Sequence, residues 1–348
     1  MRLGLFGYAG AGKTTIFNLL TGLRAVTGAG TKKTANLGVT QVPDERVDFL
    51  SGIYKPKKTT YAEIHFADMP GKAPTKTTSG LSPQVVGDLR TMDVLCLVLR
   101  GFANPALELE PDPLRDYAAM DAELILADLQ VVENRVERLA KDHSSPRELE
   151  ALQLCLAHLE NEQPLRSLDL RDDQWALLKG FRFLSEKNLL ALVNTSEDDP
   201  MPELPELAER LTRDGVPLIK LCASLETEIL ELDPEDRAVF LADLGVERAG
   251  RERFIQQAYT ELSLISFLTI GEDECRAWTI TRGTIAHHAA GRVHSDIERG
   301  FIRAEVIAFE DFKIHGSEAK AKAAGRYRLE GKDYVVQDGD IINYRFNV

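Results

Sequence analysis

Four cysteines in 348 residues, Cys96, Cys155, Cys222 and Cys275, include no C-x-x-C pair. That scatter excludes a disulfide framework and a cysteine-built zinc site, and it reads as reduced thiols in a cytoplasmic protein. No hydrophobic run approaches the ~20 residues that a membrane span requires. No secretory leader is legible either, because a glycine-rich motif stands where its apolar part would have to lie. An excess of positive charge is also missing: 42 Lys and Arg face 55 Asp and Glu, a net charge of −13. Wholesale electrostatic wrapping of nucleic acid is thereby excluded, while a local basic face remains compatible. Internal repeats and low-complexity segments are absent. What is present, 44% hydrophobic and 28% charged residues, is the composition of a globular chain long enough for two or three domains.

The most informative segment is Gly7-Tyr8-Ala9-Gly10-Ala11-Gly12-Lys13-Thr14, which fits G-x-x-x-x-G-K-[ST]. An apolar run, Leu3 to Phe6, precedes it as a buried strand, and Thr15 to Leu20 follows as a helix. Small residues let backbone N–H groups turn inward around a polyphosphate, and the helix N-terminus adds partial positive charge. Gly10, Ala11, Gly12, Lys13, Thr14 and Thr15 are therefore expected to hold the phosphates of a nucleotide. Lys13 reaches the β- and γ-phosphates, and Thr14 offers its hydroxyl to Mg²⁺.

Further strand-length apolar runs lie at Leu37 to Val42, Tyr61 to Ala67, Val94 to Leu99, Leu189 to Val193 and Leu218 to Leu221. Alternation with helical segments predicts an α/β fold with a mostly parallel sheet, and ligands on such sheets bind beyond the strands' carboxyl ends. Residues 113–187 break this pattern. Ala118, Ala122, Ile125, Leu129, Val132, Val136 and Leu139 repeat at coiled-coil spacing. After a break, Ser145-Pro146-Arg147-Glu148 predicts a capping box at the start of a second, antiparallel helix. From residue 264 short β-rich stretches, Arg276 to Ile280 and Lys332 to Val336, alternate with turns, and Ile341 to Phe346 is the expected final strand. The expected division is 1–112 with 188–263, then 113–187 as an inserted hairpin, then 264–348.

Asp68-Met69-Pro70-Gly71 follows a strand and fits D-x-x-G. Its carboxylate is expected to hold Mg²⁺ through water, and the Gly71 amide to sense the γ-phosphate. Lys72 to Pro83 is a candidate switch loop. Thr31 to Asn36 is the other, with Thr34 slightly favoured over Thr31 as a Mg²⁺ ligand. Base recognition falls to Asn194-Thr195-Ser196-Glu197, in place of the N-K-x-D that selects guanine. Glu197 is one methylene longer than the aspartate, and Asn194 is expected to bond the adenine edge at two points. Ala223 and Ser224 stand where a following loop packs on the base.

These residues resemble the YchF-type subfamily of the Obg-related P-loop NTPases. The match runs the length of the chain. It includes N-x-x-E at Asn194 to Glu197, Asn36-Leu37-Gly38-Val39 with Val42-Pro43-Asp44, the stretch Glu123 to Leu129, and, most specifically, Phe301 to Val306 and Gly331 to Asp340. The resemblance implies a Ras-like G domain with an inserted coiled coil and a C-terminal β-grasp (TGS) domain. It implies Mg²⁺-dependent binding and slow hydrolysis of ATP, with GTP tolerated, and association with the ribosome or RNA through the TGS domain and coiled coil. A monomer is expected. The alternatives are a nucleotide-gated binding module with little hydrolysis, and a GTP-preferring GTPase.

Three positions depart from the family pattern. Ala9-Gly10 replaces Pro-Asn. Lys72 replaces a hydrophobic residue after D-x-x-G, where it either stabilises phosphoryl charge or is solvated. The family's histidine is missing from Pro105-Ala106-Leu107-Glu108. His287-His288 is not expected to bind metal, since adjacent side chains diverge and no neighbouring ligand completes a set. Arg276, Arg282, Arg292, Arg299 and Arg303 form either an RNA-facing patch or a solvated mixed surface.

Overall fold

The computed structural model describes residues 2–25, 34–71, 81–142, 145–243, 249–261 and 263–347. Its strands are β1 (Arg2–Phe6), β2 (Asn36–Val42), β3 (Lys58–Thr60), β4 (Ala62–Asp68), β5 (Val94–Arg100), β6 (Leu189–Asn194) and β7 (Leu218–Leu221). The remainder are β8 (Leu264–Thr269), β9 (Glu274–Thr281), β10 (Phe301–Ala308), β11 (Arg328–Glu330) and β12 (Asp340–Phe346). The chain forms two compact units: Met1–Thr40 with His65–Phe254, and Gln41–Ile64 with Ile255–Val348.

The first unit is built on a six-stranded sheet in the order β2-β4-β1-β5-β6-β7. Every pairing from β4 across to β7 is parallel. β5 and β6 are buried along their whole length, as strands covered on both faces must be, which is why they read as continuous apolar runs. The parallel register brings Asp68 beside Leu5 and Asn194 beside both Arg100 and Leu221. The functional motifs thus end at one edge of the sheet.

The helix Pro113–Asp142 changes partner along its 30 residues. Its first half turns Tyr117, Met120 and Leu124 into the sheet's core. Ala118 and Ala122, expected in the seam, are exposed there. From Ile125 onward the heptad seam holds: Ile125, Val132 and Leu139 are buried against Leu152, Cys155 and Leu159 of the helix Pro146–Glu160. The capping box does not form. Ser145 is the N-cap residue but makes no side-chain cap. Glu148 instead accepts two hydrogen bonds from Arg135, at 2.7 and 3.0 Å, because a bidentate charged pair outcompetes a neutral backbone donor. The four cysteines are free and buried, as the scatter predicts.

The second unit carries a six-stranded sheet in the order β11-β10-β12-β8-β9-β3. β12 and β8 pair in parallel between antiparallel neighbours. The helix Ala286–Val293 lays Ala286, Ala289 and Ala290 on Phe267, Ile342 and Tyr344, completing a β-grasp arrangement. Residues 41–64, which sequence continuity groups with the phosphate-binding part, supply this unit with β3, paired in parallel to β9. They also supply the helix Glu45–Tyr54, whose Phe49 packs edge-on to Phe309 with centroids 5.7 Å apart. Arg46 of that helix bonds Asp338 at 2.9 Å. Lys332 to Val336 is not a strand. Only Val335 makes a bridge, to Ile285, because Asp340 ties Tyr334 and the Gln337 amide into a turn. No helix among the described residues is long and apolar enough to cross a membrane.

Candidate nucleotide-binding site

The loop from Gly7 to Gly12 turns by left-handed backbone at Gly7, Gly10 and Gly12. Gly12 is the N-cap of the helix Lys13–Thr21, and no side chain caps that end. The first-turn N–H groups have no partner within the helix, the setting in which a helix start attracts an anion. Gly12 has a second constraint: a Cβ there would lie 2.1 Å from Asn194 Nδ2. Gly12→Ala is therefore expected to destabilise the protein by about 2–4 kcal/mol, from a strained φ together with a displaced buried amide. Urea denaturation measures it, and an unchanged midpoint contradicts this packing.

Lys13 is only 6% exposed. Its Nζ donates to the Tyr8 carbonyl at 2.8 Å, and among the described residues no carboxylate lies within ion-pair distance. Burial depresses its pKa to about 8, against a smaller upward pull from Asp68. A buried ammonium without a counter-charge is costly unless an anion arrives to meet it. Gly71 closes the mouth of this cradle. A Cβ on it would stand 2.4 Å from Lys13 Nζ and 2.7 Å from the Gly7 carbonyl, so only glycine fits this close approach.

Thr14 Oγ1 donates to Asp68 Oδ2 at 2.8 Å. The same oxygen accepts from Asn36 Nδ2 at 2.8 Å, a contact the sequence reading missed. Asn36 opens β2, directly after the segment expected to be a switch, and an amide two residues beyond Thr34 was the available signal. Thr34 itself is exposed, with no polar contact seen among the described residues. Thr31 and Lys72 lie outside the described residues. Asp68 is 3% exposed, and its Oδ1 is buried without a hydrogen-bond partner.

The expected base-reading residues lie at and just after the end of β6. The Asn194 amide makes one hydrogen bond at each end. Its Nδ2 donates to the Ala11 carbonyl at 3.1 Å and its Oδ1 accepts from the Ala223 amide at 3.1 Å. Asn194 thus braces the phosphate loop against the start of the helix Ala223–Glu231, and each end of its amide retains the capacity for a second hydrogen bond. Thr195 is buried and donates to the Pro200 carbonyl at 2.9 Å, fixing the loop's shape. Glu197 and Ser224 are exposed at this edge, with Ser224 Oγ 3.3 Å from Cys222 Sγ. Thr15 is half-buried beside Thr14.

Two departures from the family pattern meet in space. A side chain on Gly10 would begin 2.7 Å from Leu107 Cδ1 and 3.6 Å from Asn104 Nδ2. Leu107 thus fills the volume that an asparagine at position 10 requires.

A family model described as a 50S ribosome-binding GTPase matches residues 2–135. The YchF-GTPase C-terminal model, described as a protein of unknown function, matches residues 264–347. The chain is 38% identical to the ribosome-binding ATPase YchF of Bacillus subtilis (strain 168), over 99% of each chain. The chain belongs to the YchF family. The YchF of Escherichia coli O157:H7 is 38% identical over 100% of this chain and 99% of its own. The solved structure of the Schizosaccharomyces pombe YchF GTPase superposes with a TM-score of 0.87 at 28% identity, covering 99% of this chain and 97% of that one. The G domain with helical insertion and C-terminal β-grasp domain is therefore the YchF fold.

Proposed function

We propose that this YchF-family chain is a switch protein that binds ATP, tolerates GTP, hydrolyses the bound nucleotide slowly and acts with the ribosome in the cytoplasm. The observation that carries the reading is Lys13, a buried ammonium with no ion-pair partner among the described residues, at an uncapped helix start. The relatives' description as ribosome-binding ATPases supports the nucleotide and the partner. The TGS domain and the helical hairpin are the surfaces assigned to the ribosome or its RNA. The arginines expected to form an RNA patch are partly committed: Arg299 bonds Asp296 at 2.7 Å, and Arg276 lies on the Trp278 ring at 3.9 Å.

Thr14 and Asp68 fit a hard dication, since both offer oxygen ligands and Asp68 Oδ1 is a buried acceptor with no donor. Mg²⁺ held there would neutralise charge on the β- and γ-phosphates. Lys13 binds and screens the phosphate oxygens, the Gly71 amide reads the terminal phosphate, and Asn36 orients the Asp68 carboxylate. Asn194 keeps the phosphate loop and the base-side loop in register. Base selection falls to the 196–199 loop and the Ala223 and Ser224 backbone, with Glu197 as the charged group at the rim.

ATP is expected to bind at least as tightly as GTP, and Glu197→Asp to move the ratio toward GTP by about threefold to tenfold. Calorimetry with both nucleotides checks this, and a wild-type preference for GTP of about tenfold would overturn the ATP reading. Single-turnover assays separate slow hydrolysis from binding alone: bound ATP converted to ADP supports the enzyme, and recovery of intact ATP after prolonged incubation sinks it.

A further inference from the structure

The β-grasp unit holds a side-chain cluster that the nucleotide chemistry does not use. His287 and His288 lie in the first turn of the helix Ala286–Val293, and Glu298 lies in the short helix Ser295–Arg299 that follows. A single extended residue, His294, joins the two helices, with φ −163° and ψ 143°. That sharp corner folds the second helix back on the first. The backbone of Gly291 makes room: a Cβ there would lie 2.4 Å from Glu298 Oε2, so the carboxylate rests where any other residue would put a side chain. Glu298 Oε1 is thereby 3.0 Å from His288 Nδ1. The two imidazoles diverge less than their adjacency suggests, with ring centroids 5.3 Å apart. One ligand atom from each of His287, His288 and Glu298 lies within 4.8 Å of the others, the one such group of three among the described residues.

We propose that His287, His288 and Glu298 form a binding site for a borderline transition-metal dication of the Zn²⁺ class. Two imidazole nitrogens and one carboxylate oxygen are a ligand set that Zn²⁺ takes with its remaining position open to water. Tetrahedral ligands around such an ion stand about 3.4 Å apart, from bonds of about 2.1 Å, so modest side-chain rotations close the set. His288 is exposed, and His287 and Glu298 are half-buried, which gives the ion an entry path. Hard cations such as Mg²⁺ are disfavoured, because imidazole replaces the oxygen ligands they require. The third ligand is a glutamate brought back by the helical corner.

Titration of the full-length protein with Zn²⁺ by calorimetry, and with Co²⁺ by visible absorption, tests the site. The expected result is one equivalent bound, with Co²⁺ bands of low-coordinate intensity. His288→Gln and Glu298→Gln are each expected to weaken binding by about tenfold or more, while His315→Gln, outside the cluster, leaves it unchanged. No saturable binding by the wild type would overturn the proposal, as would affinities in the two cluster variants equal to the wild type's. The readout does not involve nucleotide, so it stands or falls apart from the ATPase reading.

Discussion

Lys13→Ala is expected to weaken ATP binding by about 2–5 kcal/mol, on the order of 30-fold to 5,000-fold, while leaving the protein folded. The phosphates lose the cation that the loop buries for them. The free protein should not suffer, because the wild-type ammonium sits in its pocket with one carbonyl and no close ion pair, and its burial outweighs the pull of Asp68. Its pKa of about 8 lies below the usual lysine value, so the linkage has a definite sign. In the free fold burial makes the charged lysine less favourable than in the unfolded chain, although it still carries its proton at pH 7. Its stability contribution is therefore full above the unfolded pKa, near 10.4, and is lost as pH falls through about 8. Removing the charge at pH 7 should raise, not lower, the denaturation midpoint of the nucleotide-free protein. Bound phosphates reverse the preference, so binding above pH 8 takes up a proton. Wild-type affinity should then fall between pH 8 and 9 by up to about tenfold, a trend that the alanine variant lacks. Calorimetry at several pH values, with the variant alongside, checks both statements. An unchanged ATP affinity in Lys13→Ala would remove the phosphate-cradle assignment.

Asn194→Ala is the second large effect. The substitution leaves the Ala11 carbonyl and the Ala223 amide without their partner in a buried setting, at a cost of about 1–3 kcal/mol for each group. A loss of about 2–6 kcal/mol in stability is expected, together with weaker binding of ATP and GTP alike. The equal effect on both nucleotides is the informative part. A residue that reads the base edge changes the ratio of the two affinities, whereas a brace between loops changes both together. Urea denaturation and paired nucleotide titrations distinguish these, and a loss confined to ATP would assign Asn194 to base reading.

Asn194 also marks where sequence reading stops. Its position after an apolar strand was legible, because strand, loop and helix each leave a periodic trace. The partners of its amide were not, since Ala11 and Ala223 are far from it in sequence and meet it only through the parallel register of β6 with its neighbours. Asn36 tells the same story. A threonine hydroxyl is the obvious magnesium ligand in a polar loop, yet it is the amide at the strand's first position that reaches Asp68. Where the pattern was local it held: Lys13 and Thr14 follow a glycine loop, and Asp68 ends its strand. The hairpin shows both outcomes within one helix. Its heptad predicted the Ile125, Val132, Leu139 seam, but could not announce that Tyr117, Met120 and Leu124 would turn toward the sheet instead. Glu148 matched a local capping rule and was captured by Arg135 from the other helix.

The interleaving of the two units has a consequence during synthesis. Residues 41–64 leave the ribosome early, yet β3 pairs with β9 and Phe49 packs on Phe309. More than 200 residues separate Thr60 from its register partner Arg276, so at typical elongation rates the early segment waits roughly 10–40 s for its sheet. During that interval Phe49 and the edge of β3 are without their native cover, on a nascent chain whose phosphate loop has already emerged. A stalled or truncated product ending before β9 would carry this segment without its native cover permanently.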